Sequence, residues 1–303
     1  MRNSHETFVS SGNLRLWTER FGDPAHPPVL LVMGTSAQGI GWPDDLVRRL
    51  VDGGQQVIRY DHRDTGRSDL VDFGRQPYTL ADLAEDALAV LDGHGVAAAH
   101  VVGASLGGAI GQWLAVHRPT RVRTLTALMT SPMGNNPGPA WARAMGGQPP
   151  APDELPPPAP HFFQHLLASA ALPRTSREEQ IAASLETWRM LHGTGLPFDE
   201  PAARRFAELS YDRARDPAAA TNHDLAGRQL TPDRLAPLSS ITAPTLVVHG
   251  TEDPLFPPAH AEALAGLIPG AQLRMVPGMG HGLHSVGLSA QLADLVNEHL
   301  DAN

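Results

Sequence analysis

Hydrophobic positions along this chain alternate between two rhythms. Short continuous apolar runs, bounded by glycine or proline, recur at residues 27–34, 56–60, 100–102, 122–129, 243–250 and 272–276. Runs of this kind suit strands buried on both faces. Between them, apolar residues return every three or four positions, the spacing of a helix with one buried side. Leu46, Val47, Leu50 and Val51 mark a helix over 43–53 that stops at Gly53. Thr79 opens another, with Asp82 as its capping-box partner and Leu83, Leu88 and Leu91 turned inward. Further helices are predicted over 107–117, closed by Pro119, over 259–267, and over 289–300 with Leu292, Leu295 and Val296 inside. Residues 6–20 alternate loosely around Ser11-Gly12-Asn13 and read as an antiparallel hairpin at a sheet edge. Strand and helix in regular alternation predict an α/β fold: a mostly parallel central sheet flanked by helices on both faces.

The alternation stops near Asn135 and resumes near Ile241. This predicts a core made of residues 1–134 and 241–303 with a helical cap inserted over 135–240. The insertion holds helical stretches at 176–192 and 201–213 and a proline-rich piece at 148–160. It carries seven of the sixteen aromatic residues: Trp141, Phe162, Phe163, Trp188, Phe198, Phe206 and Tyr211. Most should pack the small subdomain, and a few should line an apolar pocket. Trp42, Trp141, Phe162, Trp188 and Phe256 are the candidates for contact with a substrate.

One junction between rhythms carries chemistry. In Val101-Val-Gly-Ala-Ser105-Leu-Gly-Gly108 a strand turns directly into a helix, and Ser105 sits in the Gly-x-Ser-x-Gly pattern of a nucleophile elbow. Such a turn holds the serine in strained backbone angles, and side chains at Gly103 and Gly107 would collide. It also sets the hydroxyl at a helix N-terminus, where free N–H groups favour a developing oxyanion. Two partners follow in the order nucleophile, acid, histidine, each just past a predicted strand: Asp253 and His281. His284 competes with His281, but the Gly-Met-Gly-His turn favours the earlier residue. Residues 130–136, after the strand that follows the serine, offer no carboxylate, which leaves the acid to Asp253. The N–H groups of Leu106 and of the Gly34–Thr35 turn would form the oxyanion hole. The run Asp61-His-Arg-Asp64 reads as a structural cluster of salt bridges and turns.

Composition narrows the reading. A chain of 303 residues with 42% hydrophobic and 18% charged residues can bury a full core. No apolar segment follows Met1–Glu6 as in a signal peptide, and no run nears the ~20 residues of a membrane span. A net charge of −9 argues against nucleic acid and anionic membranes as partners. There is no cysteine, which excludes disulfides, thiol catalysis and zinc–thiolate sites and fits a cytoplasmic protein. All 23 basic residues are arginine, which excludes a Schiff-base lysine, a P-loop lysine and a Ser–Lys dyad. His161 and His165 have helical spacing but lack a zincin glutamate and a third ligand, so they read as packing residues. No cofactor and no metal are expected, and oligomeric state is left open.

With these residues placed, the whole chain resembles the α/β-hydrolase fold family, and in particular the aclacinomycin methylesterase group. The resemblance rests on Leu31-Val-Met-Gly34, Gly41-Trp-Pro43, Arg59-Tyr-Asp-His-Arg-Asp-Thr-Gly-Arg-Ser68, Gly193-Thr-Gly-Leu-Pro-Phe-Asp199, Leu264-Ala-Gly-Leu-Ile-Pro269 and Pro277-Gly-Met-Gly-His281. It implies that Ser105, Asp253 and His281 match the family triad, that Gly34 and Leu106 match its oxyanion positions, and that a methyl ester of an anthracycline polyketide is the substrate. Leu106 stands where that group has Met, and Gly34-Thr35-Ser36 where it has Gly-Gly-Asn; both changes bear on pocket shape. The expectation is a cofactor-free serine esterase with a small-molecule substrate: an apolar or aromatic acyl part and a small alcohol. The same triad would also serve C–C bond hydrolysis, lactone opening or perhydrolysis, and the fold could house a non-catalytic receptor.

Overall fold

The computed structural model describes residues 4–152, 154–170, 176–227 and 237–303. Eight strands form one sheet: β1 (Ser4–Ser11), β2 (Leu14–Phe21), β3 (Pro28–Val32), β4 (Gln56–Tyr60), β5 (Ala99–Ala104), β6 (Val122–Leu128), β7 (Thr245–Gly250) and β8 (Gln272–Val276). Their spatial order is β1-β2-β4-β3-β5-β6-β7-β8. The hairpin β1–β2 is antiparallel at the edge, β2 meets β4 antiparallel, and every later pairing is parallel.

Strand residues alternate between two cores, as the period of two requires. Leu30, Val32, Ile58 and Val101 face one core, closed by α2 (Leu80–Gly93), α3 (Leu106–His117) and α9 (Ala259–Leu267). Val29, Leu31, Val57 and Val102 face the other, closed by α1 (Asp44–Asp52) and α10 (Leu288–Asp301). Helix ends follow the expected chemistry. Thr79 and Asp82 form the capping box of α2, and Ser176 with Glu179 form that of α6 (Arg177–Leu191).

Between β6 and β7 the chain runs through α4 (Gly138–Met145), α5 (Pro160–Ala170), α6, α7 (Glu200–Arg213) and α8 (Asn222–Gly227). Helices α6 and α7 share a small core of Ile181, Leu185, Ala203 and Ala207, flanked by Trp188, Phe198 and Tyr211. A bidentate pair, Arg177 to Asp212 at 2.7 Å on both arms, ties the two helices. No helix among the described residues is long and apolar enough to cross a membrane.

Several buried or half-buried histidines take up a proton less readily than a free imidazole. Burial lowers His62 to about 3 and His94, His100 and His284 to about 4. The unfolded chain binds these protons near pH 6.5, so in the interval below that value it takes up protons that the folded chain refuses. Stability therefore falls as the pH drops from about 6.5 towards about 4. Urea midpoints measured across pH should be level from about 8 to 7 and decline steadily below about 6.5. A midpoint still level at about pH 4.5 would contradict the neutral histidines.

Candidate active site

Ser105 takes φ 53° and ψ −116°, a backbone conformation that costs an L-residue energy. The surroundings hold it there. Its N–H donates to Leu128 O at 2.9 Å, and its carbonyl accepts the Thr130 hydroxyl at 2.8 Å. The flanking glycines are required by contact. A Cβ on Gly103 would stand 2.1 Å from Gly107 O, and one on Gly107 only 2.0 Å from Val32 O. The end of β5 and the start of α3 are thus pressed together and against β3. Leu106 heads α3, so its N–H is one of those a helix start leaves without an intrahelical acceptor.

The end of β3 reaches the same place. A Cβ on Gly34 would lie 3.2 Å from Ser105 Cβ, so the Gly34–Thr35 turn passes directly over the serine. The turn is held from two sides. His62 Nε2 bonds Met33 O at 2.9 Å, and Ser36 N–H donates to His223 Nδ1 at 3.0 Å. Because His223 Nδ1 accepts, Nε2 carries its proton and donates to Arg63 O at 2.9 Å. The Asp61–Asp64 run builds the neighbouring loop. Asp61 accepts from Gly39 and Arg67 N–H and pairs with Arg213. Arg63 pairs with Asp86, and Asp64 accepts from Tyr78 OH, Val71 N and Asn222.

Strands β5, β7 and β8 run parallel, so the residues that follow them leave the sheet at one edge. After β7, Asp253 is buried and receives His281 Nδ1 on Oδ2 at 2.7 Å. Its other oxygen accepts from Leu255 N–H at 2.9 Å and Phe256 N–H at 2.8 Å. The ring of Phe256 stands edge-on to His281, with centroids 5.5 Å apart. His284 has a different setting: it packs on Trp188 and Phe206, at 5.5 and 4.9 Å between centroids.

The segment after α6 is joined to both of these loops. His281 N–H donates to Leu191 O at 2.6 Å and Gly280 N–H to His192 O at 2.9 Å. Glu252, one residue before Asp253, accepts from the N–H and hydroxyl of Thr194 and from Gly195 N–H; these bonds hold its carboxyl below the ordinary range. Asp199 N–H donates to His284 O, and Phe198 bridges to Ser285.

A cavity of about 280 Å³ opens between the Thr35–Gln38 loop and helices α6 and α7. Trp188 and Phe206 stack on its wall at 5.1 Å, beside Ile181, Ala207 and Tyr211, and Ser210 Oγ is buried there without a partner among the described residues. Of the aromatic residues expected to meet a substrate, Trp188 lines this cavity and Phe256 touches His281. The expectation for Trp42 and Phe162 is corrected. Trp42 is fully enclosed among Leu46, Val47 and Leu50, and Phe162 is 2% exposed. Trp141 is half-buried, edge-on to Phe163 at 5.3 Å, and is not part of the cavity lining. Phe206 takes the place beside Trp188 instead, and nothing in its residue type separates it from the aromatics that pack the insertion. His165 bonds Thr187 and Ser169 hydroxyls.

A family model described as the alpha/beta hydrolase fold matches residues 27–288. The chain is 41% identical over 276 residues to rhodomycin D methylesterase DnrP of Streptomyces peucetius. It is 40% identical over 275 residues to rhodomycin D methylesterase DauP of Streptomyces sp. strain C5, and both alignments cover 91% of each chain. Among solved structures, the esterase RhEst1 from Rhodococcus sp. ECU1013 matches with a TM-score of 0.75 at 23% identity over 98% of each chain.

Proposed function

This chain belongs to the α/β-hydrolase fold family, and we propose that within it Ser105, His281 and Asp253 hydrolyse a carboxylic ester, with a methyl ester of an aromatic polyketide as substrate. The observation that carries the reading is the strained Ser105 elbow at the sheet edge that also presents the Asp253–His281 pair. The two methylesterase relatives support ester hydrolysis and the substrate class.

Asp253 accepts the Nδ1 proton, which leaves Nε2 of neutral His281 as the base. Nε2 takes the proton of Ser105 as Oγ attacks the ester carbonyl. The resulting oxyanion meets the N–H groups of Leu106 and of the Gly34–Thr35 turn, donors already fixed before charge develops. The tetrahedral intermediate collapses, the C–O bond to the alcohol breaks, and the His281 imidazolium returns its proton to the departing alkoxide. A water molecule then repeats the cycle on the acyl-enzyme: His281 removes its proton, hydroxide adds, and Ser105 Oγ leaves with that proton.

In this reading the insertion over 135–240 is a cap, and the Trp188–Phe206 stack holds a planar acyl part. A substrate panel tests it: an anthracycline methyl ester, nitrophenyl esters of graded acyl length, and a C–C hydrolase substrate. Turnover of the polyketide ester with release of methanol is the expected result. Silence on every ester would overturn it. Trp188→Ala should raise KM for the polyketide ester about ten-fold and leave kcat on nitrophenyl acetate within about two-fold. Equal losses on both substrates would remove Trp188 from the binding role.

A further inference from the structure

We propose that His249 is a positioning residue for the Asp253–His281 pair: a neutral imidazole whose Nε2–H fixes the turn that aims the Asp253 carboxylate. This rests on the reading of Asp253 as the catalytic acid. His249 lies in β7, four residues before Asp253, and its side chain is fully enclosed. Its Nε2 is 2.7 Å from Phe256 O and 3.4 Å from Asp253 Oδ2. A carbonyl oxygen only accepts, so Nε2 must carry the proton. Nδ1 is buried with no hydrogen-bond partner among the described residues, and a second proton there would be an orphaned donor in the interior. Burial works in the same direction and lowers the affinity of the ring for that proton; a charged His281 adds to this, while Asp253 and Phe256 O oppose it.

The consequence follows from how the turn is built. Phe256 gives its N–H to Asp253 Oδ1 and its carbonyl to His249, so the imidazole pins the turn that aims the carboxylate. Oδ2 then stands between two imidazoles with opposite duties. His281 must gain and lose a proton in each half-reaction, and His249 must do neither. The His249 N–H holds the turn without joining the proton transfer, so Oδ2 stays aimed at His281 Nδ1 through both half-reactions.

Among the described residues, the other titratable groups around the pair have partners of their own. His260 of α9 bonds Ser131 and Pro156 O and is itself held down by burial. Glu252 is committed to Thr194 and Gly195, with His192 nearby, and His284 faces the Trp188–Phe206 stack.

The test compares His249→Leu, which removes the N–H, with His249→Gln, whose amide can restore a donor at the Nε2 position. Both are assayed from acid to neutral pH on a nitrophenyl ester. The leucine variant should lose about ten-fold in kcat at nearly constant KM. The glutamine variant should recover most of that kcat. Equal losses in the two variants would overturn the proposal. If the leucine variant does not fold, nitrogen-15 NMR of the wild-type protein decides. His249 should hold the Nε2–H tautomer and titrate below a free imidazole. A titration at or above that of a free imidazole, or an Nδ1–H tautomer, would overturn the proposal. That spectrum does not depend on catalysis, so it separates this proposal from failure of the triad reading, which Ser105→Ala reports.

Discussion

Replacing Ser105 with alanine is expected to lower kcat by about six orders of magnitude, the scale seen when the nucleophile is removed from a serine protease. The fold should survive, because the change deletes one half-buried hydroxyl and leaves the Leu128 and Thr130 bonds to the Ser105 backbone in place. A glycine at the same position adds information that alanine cannot. At φ 53° and ψ −116° alanine bears the same backbone strain as serine, whereas glycine bears little. Ser105→Gly should therefore be as inactive as Ser105→Ala yet more stable by about 1 kcal/mol. That difference corresponds to roughly 2 °C in Tm for a chain of this size. Turnover near the wild-type level in either variant would refute the nucleophile. Equal melting temperatures would show that the turn stores no strain.

The second large effect concerns Asp253. Its two oxygens have different neighbours, and this fixes how an asparagine would sit. Oδ1 receives two backbone N–H groups, from Leu255 and Phe256, so an amide oxygen belongs there. The amide NH2 must then face His281, where Oδ2 now accepts at 2.7 Å. Facing a donor, Nδ1 of His281 becomes an acceptor and the ring proton moves to Nε2, the atom that should receive the serine proton. Asp253→Asn should thus fold normally and lose about 10⁴ in kcat by holding the wrong tautomer. The measurement is turnover together with the tautomer read by nitrogen-15 NMR of His281. An Nδ1–H tautomer with high turnover would sink the assignment of Asp253 as the acid.

Much of the architecture was legible in the residues because it rests on local rules. Apolar runs such as 27–34 and 243–250 read as doubly buried strands, and the Thr79–Asp82 box announced α2. The elbow was legible for the same reason. The glycines at 103 and 107 answer to clashes with Gly107 O and Val32 O, and such close approach admits no other residue. The insertion was less legible. Helix α4 has no counterpart in the sequence pattern, and α5 shows only the helical spacing of His161 and His165 beside the proline-rich piece at 148–160. Residue type also could not say which aromatic would be enclosed. Trp42 looks like a pocket residue and packs inside the core, while Phe206 looks like core and stacks on Trp188 at the cavity. Contacts across long stretches of chain were illegible. Nothing near Ser36 signals His223, 187 residues away. Nothing in an apolar strand marks His249 as the neighbour of a carboxylate.

The joint between residues 191–199 and the loops carrying Asp253 and His281 has a further consequence for how such proteins can be recombined. Leu191 and His192 receive the N–H groups of His281 and Gly280, Thr194 and Gly195 are held by Glu252, and Asp199 reaches His284 O. Gly195 and Gly278 meet so closely that a Cβ on either would collide with the other's backbone. The insertion therefore cannot be traded between relatives as a separate cassette. A graft that brings in a foreign insertion must bring the chain from Glu252 and from Gly278 to Ser285 with it, since each side of this seam is shaped by the other.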